Sequence, residues 1–134
     1  MKYTLLSLML LTVLIGCSKD QERAVNSGLQ DINSLDEYTT EIADGVSLLF
    51  FHATWCPLCA AQRPAIEGLV GDAALSNVFF GQVNYEQITD VVSTAKVQGF
   101  PTIVFYKNGA EVARFSGQGH SQDKIKNKLL ELGQ

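Results

Sequence analysis

The stretch Val46-Ser47-Leu48-Leu49-Phe50-Phe51, followed by Trp55-Cys56-Pro57-Leu58-Cys59, decides the fold. The first six residues form an apolar run of strand length, which reads as a buried strand. From Pro57 the chain turns helical in pattern as far as Val70, with Pro64 expected to kink the helix rather than end it. A strand that feeds a helix through two cysteines puts the first sulfur at a helix N-terminus. The unpaired N–H groups and the helix dipole there favour a thiolate over a thiol. That is the state required of a sulfur that attacks disulfides.

Outward from this centre the same alternation repeats. Upstream, Gly28 to Ile32 reads as a short strand. Ser34 and Glu37 form a capping box that opens a helix over 35–43. Downstream, a second buried strand spans 78–84, a helix spans 87–96 with Ile88, Val91, Val92 and Ala95 on one side, and a third core strand covers 103–106. Lys107-Asn108-Gly109-Ala110 is a hairpin signal, because Asn-Gly tolerates the positive φ values of a type I′ turn. The return strand covers 111–115. Ser121 caps a final helix that offers Ile125, Leu129, Leu130 and Leu132 to the core. The order β-α-β-α-β-α-β-β-α predicts an α/β fold: a mixed central sheet with helices on both faces. Strands separated by helices are expected to pair in parallel, and the closing hairpin to add an antiparallel pair.

The chain has 134 residues, a net charge of −4 and no basic patch, so one domain is expected and nucleic acid is excluded as a partner. Of its three cysteines, Cys17 stands apart from the pair. It closes a leader with Lys2 as its only charge and an apolar run over 3–15, the layout of a signal peptide and too short for a comfortable membrane span. Leu14-Ile15-Gly16-Cys17 resembles the lipobox of bacterial lipoproteins. The resemblance implies cleavage before Cys17, lipid on its sulfur, and anchoring by two or more acyl chains. An ordinary secretory signal or an uncleaved anchor remains the alternative. Residues 1–16 are thus read as signal peptide, 17–27 as lipidated cysteine and polar tether, and 28–134 as the domain. Cleavage removes Lys2 and takes the charge to −5. Ser18 after the cysteine favours the outer over the inner membrane. Both readings put the domain outside the cytoplasm, where disulfides persist.

Over 28–134 the chain resembles the thioredoxin family. The likeness rests on Trp55-Cys56-Pro57-Leu58-Cys59, on Pro64, on Gly99-Phe100-Pro101-Thr102 with Pro101 42 positions after Cys59, on Lys107-Asn108-Gly109 and on Gly117. It implies a thiol–disulfide oxidoreductase with Cys56 as nucleophile and Cys59 as resolving sulfur. It also implies a cis Pro101 packed against the pair, and substrate contacts from Trp55, Pro57, Leu58, Phe100 and Pro101. The family carries a buried acid six residues before the first cysteine and a lysine near it. Phe50 and Gln82 stand there instead, so a charged pair is lost as a unit and with it a proton acceptor for Cys59.

The bland readings of the pair are weaker on chemistry. A disulfide this short closes almost no loop, a tetrahedral metal site needs about four ligands, and haem attachment needs His where Ala60 stands. No metal or organic cofactor is expected. His52 at the strand end is either near Cys56 or a partly buried, hydrogen-bonded histidine, and His120 is expected to be solvated. The expected function is a monomeric, lipid-anchored reductase of extracytoplasmic protein disulfides, supplied by a membrane thiol electron donor. A disulfide-donating oxidase and a binding or assembly module without turnover are the alternatives.

Overall fold

The computed structural model describes residues 28–134. The leader, the tether and Cys17 lie outside the described residues. The elements are β1 (Gln30–Asp31), α1 (Leu35–Ile42), β2 (Val46–His52), α2 (Pro57–Glu67), a 3-10 turn (Ala73–Leu75), β3 (Val78–Asn84), α3 (Thr89–Thr94), β4 (Thr102–Lys107), β5 (Ala110–Ser116) and α4 (Gln122–Leu132). They form one five-stranded sheet in the order β1-β3-β2-β4-β5.

β2 lies at the centre because both of its faces are apolar. Val46, Leu48 and Phe50 enter a cluster with Cys59 and Ile66 of α2 and Ile125 and Leu129 of α4. Leu49 and Phe51 enter a second cluster with Tyr38 and Ile42 of α1 and Val91 and Val92 of α3. Alternating side chains of one strand thus feed two cores, one under each helical layer. Leu48 to Phe51 are all fully buried, worth about 1.5–3 kcal/mol per side chain. The polar Ser47 is also fully buried, and its hydroxyl donates to the Glu41 carbonyl at 2.9 Å.

The mixed sheet matches the expectation, with one difference in direction. β1 and β2 pair in parallel with β3, but β4 runs antiparallel to β2 as well as to β5. The chain therefore returns along the sheet after α3 rather than crossing over again. As a result the last rung between the two central strands joins Phe51 to Thr102. The chain leading to the cysteines leaves from one side of that rung, and the Phe100-Pro101 segment arrives at the other.

Several element ends are corrected. Ser34 accepts from the Glu37 N–H at 3.0 Å, but the Glu37 carboxylate reaches past Ser34 to the N–H of Asn33 at 2.7 Å. α2 stops at Glu67, three residues early, although Leu69 stays buried. α3 is shorter than 87–96 because Ile88 offers no capping side chain and Lys96 adopts φ 54°. Leu130 points outward, 37% exposed. The Asn108-Gly109 turn has the positive φ values expected of it (49° and 83°), and the Asn108 side chain accepts from the Gly45 N–H at 2.9 Å.

Candidate active site

Cys56 is the N-cap of α2, with Pro57 opening the first turn. Its backbone is extended (φ −100°, ψ 100°), and its sulfur accepts from the Cys59 N–H at 3.1 Å. The sulfur therefore occupies the place where a helix N-terminus favours negative charge. Cys56 and Cys59 form a disulfide with Cα atoms 5.3 Å apart. Cys59 is the deeper of the two, 3% exposed against 7% for Cys56, while Trp55 and Leu58 beside them are 64% and 46% exposed. Cys56 is thus largely covered in the disulfide form, beside an exposed apolar rim.

The facing loop carries a cis peptide between Phe100 and Pro101. Thr102 ties it off by donating from its hydroxyl to the Gly99 carbonyl at 2.7 Å, and the Pro101 carbonyl accepts from Gly117 at 2.8 Å. The Phe100 ring stands edge-on to Trp55, centroids 6.3 Å apart, and packs on the cluster that holds both cysteines. The fold thus brings the residues expected around the pair into one neighbourhood.

Three supporting residues carry no local signal in the sequence. Tyr85 extends the rim, its ring 5.2 Å from Phe100. Glu86 accepts from the N–H and the hydroxyl of Thr54, which fixes the approach to Trp55, and these bonds hold its carboxyl below the usual range. The Arg114 guanidinium donates to the carbonyls of Ala95 at 2.6 Å and Lys96 at 3.0 Å, capping the end of α3 just before the Phe100 loop.

Beneath the pair, Phe50 is fully buried and in register with Gln82, as the lost acid and lysine imply. A charge is nevertheless present. Arg63 of α2 places its guanidinium over the Phe50 ring, 5.0 Å from the centroid, and donates to Gln82 Oε1 at 2.8 Å and Glu67 Oε1 at 3.3 Å. Gln82 in turn donates to Asp31 at 2.7 Å. Asp31, Arg63, Glu67 and Gln82, with His52 and Asn84, line a polar crevice of about 480 Å³.

His52 stacks on Phe50, centroids 5.4 Å apart, and its Nε2 is buried with no hydrogen-bond partner among the described residues. The hydrogen-bonded histidine of the sequence reading is therefore not what forms. Burial first, and the Arg63 charge second, lower its pKa from 6.5 to about 4. The unfolded chain then binds a proton that the folded one refuses, so His52 costs stability as pH falls from 6.5 towards 4. The shifted carboxylates Asp72 and Glu86 start from 3.8 and 4.5 and are lowered further, so the stability they contribute is lost mainly below about pH 5. We expect His52→Gln to flatten the loss of stability between pH 6.5 and 5, read by urea unfolding at each pH. An unchanged slope would remove the assignment.

His120 is half-buried rather than solvated. It stacks on Phe115 at 4.9 Å, and its backbone exchanges two hydrogen bonds with the buried side chain of Gln62. Among the described residues, no three His, Cys, Asp or Glu side chains are grouped to hold a metal, and no helix is long and apolar enough to cross a membrane.

A cysteine pair at the mouth of a helix, faced by a cis-proline loop that extends a central strand, defines a thiol–disulfide oxidoreductase. The thioredoxin family model matches residues 31–131, and the chain belongs to that family. It is 35% identical to thioredoxin-2 of Saccharomyces cerevisiae over 64% of this chain and 83% of that protein. It is also 35% identical to a thioredoxin of Chlamydia pneumoniae over 64% of this chain and 82% of that one. In fold it is similar to the N21Q mutant thioredoxin from Halobacterium salinarum, with a TM-score of 0.72 at 20% identity, covering 81% of this chain and 93% of that structure.

Proposed function

We propose that this thioredoxin-type oxidoreductase is a lipid-anchored reductase of protein disulfides on the periplasmic face of a bacterial membrane. The observation that carries the chemistry is the placement of Cys56 as N-cap of α2, its sulfur against the Cys59 N–H. Cys56 as thiolate attacks one sulfur of a partner disulfide. That bond breaks, the displaced sulfur takes up a proton, and a mixed disulfide joins the two proteins. Cys59 then loses its proton and attacks Cys56, which expels the second partner sulfur. The partner leaves with two thiols, and the two electrons it gained are matched by the Cys56–Cys59 disulfide formed here. A membrane thiol donor restores the dithiol.

Trp55, Leu58 and Phe100 supply an apolar rim for the partner. Pro57 starts the helix, and the backbone before Pro101 lies where an extended segment can add as a strand. The address rests on the sequence alone: the leader over 1–16 and Cys17 in its lipobox-like setting.

Cys59→Ala removes the resolving sulfur, so mixed disulfides on Cys56 should accumulate in cells. We expect envelope proteins in these adducts, and membrane-bound adducts that lose their anchor when Cys17→Ser blocks acylation. Adducts confined to the cytoplasm, or no labelling of the chain by radiolabelled palmitate, would overturn the location. The absence of adducts would overturn the exchange mechanism.

A further inference from the structure

Replacing the family's acid and lysine with Phe50 and Gln82 removes both charges from the two strands, yet the structure puts a cation there from a third element. Arg63 lies four residues after Cys59 on α2, so the two side chains share a helix face with Cβ atoms about 6 Å apart. The guanidinium is held over Phe50, which is fully buried in the same cluster as both cysteines. Gln82 and Glu67 fix it from two sides.

The opposing charges are each less well placed. Glu67 lies a further turn from Cys59 and is paired to Arg63 itself. Asp31, on β1, accepts from the Gln82 amide. Glu86, after β3, is taken up by Thr54. His52, on β2, stays neutral above about pH 5. Among the described residues, Arg63 is therefore the one cation lining the crevice, and the charge that α2 holds nearest to the inner sulfur.

We propose that Arg63 sets the redox poise of the Cys56–Cys59 pair by stabilising its reduced, thiolate-bearing form. The inference rests on the reading of this pair as the reactive one. In reduction by a thiol donor, two electrons enter the disulfide, the S–S bond breaks and the donor becomes a disulfide. Where only one proton is taken up, one sulfur keeps a negative charge. The guanidinium stabilises that charge across a largely protein medium, where Coulomb interactions are stronger than in water. The disulfide carries no charge for it to act on. Arg63 thus displaces the equilibrium towards the dithiol, the opposite of what a carboxylate in the place of Phe50 would do.

The test equilibrates the purified protein in buffers of reduced and oxidised glutathione at pH 7 and counts free thiols by alkylation. Arg63→Gln should lower the equilibrium constant for reduction about three- to tenfold. Arg63→Lys should stay within about twofold of the parent, since it keeps the charge. Glu67→Gln, which removes the neutralising partner, should raise the constant. Equal constants for the parent and Arg63→Gln would overturn the proposal. So would an Arg63→Lys value as low as that of Arg63→Gln, which would assign the effect to the Gln82 hydrogen bond. If Arg63→Gln fails to fold by circular dichroism, an unchanged Glu67→Gln constant still overturns it. A parent pair that never exchanges with glutathione would instead defeat the underlying reading.

Discussion

Cys56→Ser should lower the rate at which the reduced protein opens a protein disulfide by about a thousandfold or more, because a neutral hydroxyl replaces the attacking thiolate. The measurement is insulin reduction with dithiothreitol as electron source, corrected for the uncatalysed rate. The fold should survive. Serine is itself a favoured N-cap, so it can accept the bond to the Cys59 N–H that the sulfur accepts at 3.1 Å. The bridge also spans a separation of only three residues, so its loss removes little loop-closure restraint. A variant that folds and retains the parent rate would show the pair to be structural. A binding module would likewise keep its biological role in the Cys56→Ser, Cys59→Ser double variant.

Phe50→Ala should have the largest effect on stability, a loss of about 3–5 kcal/mol. The ring is closed to solvent, with 0% exposure, and Leu48, Ile103 and Phe105 are in the same cluster. A typical domain has only about 5–15 kcal/mol in total, so the urea midpoint should fall steeply. The same change uncovers His52 and removes the surface beneath Arg63. The His52 pKa should then climb from about 4 back towards 6.5, a shift that NMR titration of the imidazole would follow. The exposed Leu58, changed to Ala, should alter stability by less than about 0.5 kcal/mol. A loss at Phe50 as small as that, or a His52 titration that does not move, would contradict the packing described.

Local rules carried much of the fold. The apolar run of β2, the Ser34 and Ser121 caps and the Asn108-Gly109 turn were all legible, because each depends on residues within a few positions of one another. So was the cysteine pair at a helix entrance. The direction of β4 was not, since nothing between 95 and 101 states whether the chain crosses the sheet or turns back. The β-bulge at Phe105/Tyr106 was hidden for the same reason: it depends on pairing with β5. The surroundings of the site were the least legible part. Arg63 reads as one more helix-surface charge until α2 is laid against Phe50 and Gln82. Glu86 sits 32 residues after the Thr54 it holds, Tyr85 lies well before the Phe100 it packs on, and no motif links either pair.

The antiparallel pairing of β2 with β4 has a consequence for motion. The segment bearing the reactive sulfurs and the segment that meets the partner are clamped by neighbouring rungs of the innermost ladder, flanked by strands on either side. Fraying of the two-residue β1 or of the outer edge of β5 leaves that clamp untouched. We expect the amides of this ladder to be among the slowest to exchange, so the spacing between the two halves of the site should be lost only when the whole domain opens.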